Sequence, residues 1–332
     1  MDIKDAAGLS EPLRKLIEVC AEGIGAIARP WLIRRDAKAL VDAQATLEKA
    51  NLLVASADLA TTGSQIAVRV EYREAKRHRN LCAVVSEAKK TMPNEVSEQS
   101  VDSDWIARFF SYAEDVSNEE MQRLWGRLLS GEVSRPGSFS MRALELTRSL
   151  SSEEASIFHV LCNYSLGGDC VFSMDEPLVN FKRKSTEFAI GSKEDEWEDF
   201  YVGAGITRPQ FTLLEEIGLL SSAWGTVRTW KSGPDPAATV LVWRRGDQCL
   251  GIRNESPTED GWSFTVPTIE LTHIARQLNS VFDRSPFHDS HLRQLVKSFE
   301  RHGLKCQLGT FRLNPDAGEK QWLMTDIDAN AK

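Results

Sequence analysis

Long hydrophobic runs are missing from this 332-residue chain. No stretch of 18 consecutive apolar residues occurs, so no transmembrane helix is expected. Paired cysteines are missing as well. None of the six cysteines belongs to a C-x-x-C pair, which leaves zinc ribbons and thioredoxin-type redox sites without support. Most sit in apolar stretches such as IEVCAEGI, HVLCNY and DQCLGI, and are expected as buried thiols in a reducing cytoplasm. The strong catalytic signatures are also lacking. There is no G-x-x-x-x-G-K-[ST], no Rossmann glycine fingerprint, no H-E-x-x-H and no G-x-S-x-G, the patterns that position phosphates, dinucleotides, zinc or a serine nucleophile. The opening MDIKDAAGLSEPLRK lacks the charged-then-apolar layout of a signal peptide, so the expectation is a cytoplasmic protein.

What is present is enough for a packed core. Apolar residues make up 42% of the chain and charged residues 27%, which excludes collagenous, wholly disordered and disulfide-knot classes. The net charge is −8, from 40 basic and 48 acidic side chains. Residues 1–100 hold 15 basic and 14 acidic, 101–200 hold 10 and 19, and 201–332 hold 15 and 15. No third is strongly basic, as a domain relying on non-specific phosphate contacts would be.

The N-terminal third reads as helix. Ser10 is a candidate N-cap, with Glu11 and Pro12 in the first turn. Leu13, Leu16, Ile17, Cys20, Ile24, Ile27 and Trp31 recur at helical spacing, one face of an amphipathic segment. Trp31 to Ala60 is rich in helix formers and holds no Gly or Pro. A second long helix is predicted after the Thr61–Ser64 break, from Gln65 to about Lys90. Such thinly apolar helices bury little alone, so they are expected to pack on each other, on the next domain or on another copy of the chain. Residues 91–103, TMPNEVSEQSVDS, read as a linker.

Residues 104–165 carry the clearest helical pattern. Ser117 with Glu120, and Ser151 with Glu154, have capping-box spacing, and Gly131 is a natural helix stop. After Gly167 the pattern turns to short strands: CVFSM, TVRTW (226–230), ATVLVWRR (238–245), QCLGIR (248–253), WSFTV (262–266) and a segment near 305–312. Thr207-Arg-Pro-Gln210 opens one helix and Thr268 or Thr272 another, and a last helix is predicted over 288–302. His288, Asp289 and His291 share its first turn. They read as a polar helix start, so no metal or cofactor is expected.

A helix ending in I-G-L-L, then strands, then L-T-x-x-A-x-x-L is the layout of a winged-helix unit. Only Arg208 and Gln210 on that helix suit base contacts, and Glu215 and Glu216 oppose phosphate. Arg244, Arg245 and Arg253 offer backbone contacts from the wing. Leu13, Leu16, Ile17, Ile24, Ile27 and Trp31, followed by Arg34-Arg35, suit an oligomer interface or a lipid surface.

The stretch from Asp104 to Phe158 resembles the bacterial abortive-infection alpha family and its uncharacterised relatives. The matching residues are Trp125, Leu128, Leu129, Gly131, Pro136, Phe139, Leu144, Leu150, Ser151, Glu154 and Ala155. The later I-G-L-L and L-T-x-x-A segments fit the family's sequel. The resemblance covers residues 10–35 loosely and 100–280 better. It implies a role in anti-phage defence and assigns no catalytic residue.

The expected architecture is mainly α with a smaller α+β part. It comprises a long helical arm (1–92), a linker (93–103), a central antiparallel bundle (104–166), a winged-helix-like domain (167–318) and a flexible tail (319–332). The expected function is a non-enzymatic defence component acting through self-association and contact with another protein, for which a phage component is a candidate. A winged-helix nucleic-acid binder and a membrane-associated effector are the alternatives.

Overall fold

The computed structural model describes residues 10–25, 36–56, 61–165, 168–172, 180–181, 206–221, 227–245, 248–257, 259–282, 296, 299–300, 303–313 and 320–326. The protein is mainly helical, with small antiparallel sheets. It divides into two compact units, Met1–Ala155 and Ser156–Lys332.

The first unit is helical. Its elements are α1 (Glu11–Ile24), α2 (Asp36–Ser56), α3 (Thr62–Thr91), α4 (Ser103–Ala113), α5 (Glu119–Ser134) and α6 (Met141–Ser149). The helix α7 (Ser152–Cys162) spans the division between the units. Local chemistry sets the ends. Thr61 accepts from Ser64 N–H at 3.2 Å to start α3, and Asp102 accepts from Trp105 N–H at 2.8 Å to start α4. The expected box of Ser151 and Glu154 forms in both directions, at 2.7 and 3.1 Å. Two local expectations shift. Asn118, not Ser117, caps α5, because its carboxamide oxygen reaches Glu120 N–H at 2.9 Å and Met121 N–H at 3.1 Å. Gly131 does not end that helix, which runs on to Ser134.

The core of this unit is aromatic and aliphatic. Trp105 and Phe109 of α4 stack with ring centroids 5.1 Å apart, and Trp125 of α5 meets Phe109 at 5.3 Å. Leu128, Leu129, Val84 and Val85 are fully enclosed. Helices α3 and α5 pack closely at Gly126, where an added Cβ would lie 2.5 Å from Glu87 Cβ and 2.8 Å from Ala88 N. Gly23 of α1 plays the same part against Phe110 and Ile106. The segment between α3 and α4, expected as a linker, is tied down. Lys15 Nζ donates to the carbonyls of Ser97 and Gln99, and Ser97 N–H donates to Ser134 O at 2.9 Å.

The second unit holds the sheets. Strand β6 (Trp262–Glu270) is the hub of one, pairing antiparallel with β1 (Cys170–Phe172), β2 (Asn180–Phe181) and β3 (Val227–Ser232). The other sheet runs β4 (Val240–Arg245), β5 (Gln248–Asn254), β7 (Leu304–Leu313) and β8 (Lys320–Asp326). Strand β8 lies where a flexible tail was expected. It pairs with β7 from Gln307↔Asp326 to Leu313↔Lys320, which gives its backbone groups partners. Helices α8 (Arg208–Glu216) and α9 (His273–Asn279) stand near the expected positions. Thr272 caps α9, accepting from Ala275 N–H at 3.2 Å. Most of the helix expected over 288–302, with His288 and His291, lies outside the described residues.

Candidate protein-interaction site

Helices α2 and α3 form a hairpin whose inner seam is thin. Ala43, Leu47 and Ala50 recur at four and three residues on α2, and Leu47 and Ala50 cluster with Ala75 of α3. Small residues let two helices approach closely but bury little apolar area. Larger apolar side chains are turned outward instead. On α2, Val41 is 65% exposed and Leu52 68% exposed, and they share one face with Ala45 and Glu48. On α3, Ile66 and Val70 are 49% and 40% exposed, on the side opposite Ala75. Arg73 and Arg77 continue that stripe at helical spacing.

The α3 stripe ends in an ion-pair cluster. Arg77 reaches Glu114 at 3.2 Å and Asp115 at 3.0 Å in the turn between α4 and α5, with Glu74 at 3.6 Å. The hydrogen bond to Asp115 leads the effects that hold Arg77 in its charged form. Beside it, Asn80 is fully buried. Its carboxamide N–H₂ donates to Glu114 O at 2.9 Å and to Ser117 Oγ at 3.2 Å, and its oxygen accepts from Arg79 at 3.1 Å. These bonds fix the α4–α5 turn against α3.

That fixed turn makes one wall of a cleft of about 560 Å³ between α2, α3 and the start of α5. Val41, Ala45 and Ala83 are the apolar part of its lining, and Glu48, Glu87 and Glu119 bring carboxylates to it. Arg79 and Arg123 also line it. Half-buried Glu87 pairs with exposed Lys90 at 2.7 Å, and exposed Glu119 pairs with Arg123 at 3.6 Å. Neither the cleft nor the outward stripes follow from motif reading. Their sequence signal is that α2 carries apolar residues on both sides, Ala43, Leu47 and Ala50 inside and Val41, Ala45 and Leu52 outside.

The residues proposed from sequence for contacts are placed as follows. Leu16 and Ile17 are buried within the first unit, and Leu13 and Ile24 are half-buried. That face packs mainly on α4 and α5, so Leu16 and Ile17 are withdrawn from any lipid or second copy. Ile27 and Trp31 lie outside the described residues. No helix among the described residues is long and apolar enough to cross a membrane. Arg208 is exposed in the first turn of α8, but Gln210 is engaged in the cap, where its oxygen accepts from Thr207 N–H at 2.7 Å. Arg253 and Lys305 share Glu255, at 3.3 and 3.0 Å. Arg228 lies 3.5 Å from Asp169. The side chains of Arg244 and Arg245 are outside the description, although both residues lie in β4.

All six cysteines are buried thiols. Burial pushes Cys82 and Cys306 up to about 12 and Cys170 up to about 11, and it raises Cys20 as well. Among the described residues no group of three or more His, Cys, Asp or Glu side chains is placed to hold a metal ion.

Residues 64–228, from α3 to the start of β3, match the model of a family described as a protein of unknown function (DUF2806). No curated protein and no solved structure matches the chain. The chain is thus similar, over nearly half its length and across both units, to a family whose description names no activity.

Proposed function

We propose that this protein works through protein contacts and self-association, as a non-enzymatic component of bacterial defence against phage. The contact reading rests on one observation: the α2–α3 hairpin closes its seam with Leu47 and three alanines, Ala43, Ala50 and Ala75, and turns Val41, Leu52, Ile66 and Val70 to the outside. Apolar side chains exposed as stripes mark interaction surfaces more often than scattered single ones do. The defence role comes from the resemblance to abortive-infection proteins alone. Sedimentation of the full chain across concentration tests the physical part. Reversible growth in mass is expected, and a monomer at every concentration overturns it. A plaque assay tests the biological part: a host expressing the chain should resist infection, and the L52D and V70D variants should lose that protection.

A second reading, a winged-helix nucleic-acid binder, is favoured by Arg208 exposed at the start of α8 and by the Leu220↔Leu271 bridge that ties the end of that helical segment to the strand before α9. The pairing of Arg253 and Arg228 with carboxylates, and the two glutamates on α8, weigh against it. DNA or RNA binding that weakens steeply with salt would bring it forward.

A further inference from the structure

We propose that the cleft between α2, α3 and α5 is the receptor for the outward stripe of α3 from a second copy. This rests on the self-association reading and names its two surfaces. The donor is a helix face carrying Ile66, Arg69, Val70 and Arg73. The acceptor is lined by the apolar Val41, Ala45 and Ala83 and by the carboxylates of Glu48, Glu87 and Glu119. The pairing is complementary in both respects. Two β-branched aliphatic side chains meet Val41, Ala45 and Ala83, and two guanidiniums flanking them meet a lining in which three carboxylates outnumber the two guanidiniums of Arg79 and Arg123. A volume of about 560 Å³ holds two aliphatic side chains and a guanidinium stem, within the usual range for preformed sites.

Both surfaces lie on the same hairpin but in different places. The donor occupies the first turns of α3, where no side chain between Thr62 and Glu74 is buried. The acceptor lies further along, from Arg79 to Glu87. Made once, the contact joins copies in a chain or ring; made reciprocally, with each stripe in the other copy's cleft, it closes a two-fold dimer. The pair Glu119–Arg123 is solvent-exposed and worth little to the free chain, and Lys90 is the exposed partner of the half-buried Glu87, so Arg69 and Arg73 can replace these cations at small cost. Competing pairing of Arg73 with its neighbour Glu74, at 3.4 Å, is likewise exposed.

Two variants separate this contact from any other mode of association. I66D/V70D removes the donor, and A45R/E48R blocks the acceptor. The substituted donor positions and Ala45 and Glu48 are exposed, so both variants should keep the circular dichroism of the parent. In sedimentation each alone should lose association by at least about tenfold, the scale of a central contact removed. An equimolar mixture should form a one-to-one dimer and nothing larger, because the donor variant keeps an intact cleft and the cleft variant keeps an intact stripe. Wild-type association should weaken as salt rises toward about 1 M, where rim charges are screened. If the wild type never associates, the self-association reading fails. If it associates and both variants associate equally well, that reading stands and this contact is wrong. If both variants are monomers and the mixture stays monomeric, the pairing of stripe with cleft is overturned.

Discussion

Glu132 holds the loop that follows its own helix: its Oε1 accepts from Gly137 N–H at 2.6 Å and its Oε2 from Phe139 N–H at 2.9 Å. The residue is 1% exposed, and burial raises its carboxyl above the ordinary carboxylate range despite these bonds. The bonds explain why α5 passes Gly131 without stopping. The carboxylate one residue on supplies the acceptors that the Pro136–Gly137 turn needs. Replacing Glu132 by Ala leaves the N–H of buried Phe139 without its acceptor, while that of exposed Gly137 can turn to water. The expected loss is about 1–3 kcal/mol in urea unfolding, the desolvation cost of one unmet buried group. A loss below about 0.5 kcal/mol would mean that water replaces the carboxylate.

Gly126 sets the spacing of α3 and α5. A methyl group there meets the Ala88 backbone nitrogen at 2.8 Å, and backbone cannot swing aside as a side chain can. Gly126→Ala is therefore expected to cost about 1–3 kcal/mol, although alanine is the better helix former by about 1 kcal/mol. Thermal unfolding reads the sign directly. A rise in Tm would show that propensity outweighs the steric clash.

His78 carries a pH dependence. It is half-buried on α3, and burial lowers its pKa below the ordinary 6.5. The folded state thus prefers the neutral ring. The stability this lends is present above the unfolded value and is lost as pH falls from about 6.5 through the lowered folded value. His78→Gln should flatten the decline in Tm as pH falls below about 6.5, relative to the parent. An unchanged slope would assign that decline to other groups.

The sequence carried the elements better than it carried the surfaces. Caps at Ser151, Thr207 and Thr272 were legible because each is a local bargain between a side chain and a backbone N–H within three residues. The strands from 227 to 313 were legible through alternation and turn residues. Strand β8 was not, because Lys320–Asp326 has no clear period and gains its partners from β7, far from the tail's own composition. The α1 face, Leu16 and Ile17, had the right amphipathic pattern but the wrong destination, since periodicity tells that a face is apolar and not what covers it. The cleft was illegible for a related reason. It is defined by Asn80 and Arg77 fixing the α4–α5 turn against α3, contacts 34 to 38 residues apart in sequence.

The buried cysteines test the non-enzymatic reading from the chemical side. The thiolate is the reactive form, and a catalytic cysteine needs a depressed pKa and an open approach. Here all six are buried, and Cys82, Cys170 and Cys306 are raised to between about 11 and 12. At pH 8 a thiol at 11 is about one part in a thousand ionised, far below an exposed cysteine near 8.5. The folded chain should therefore react with iodoacetamide at least about a hundredfold more slowly than a small-molecule thiol, and all six residues should label together once urea unfolds it. One cysteine that labels at the free-thiol rate in the native protein would restore thiol chemistry as a function, and mass spectrometry would say which residue carries it.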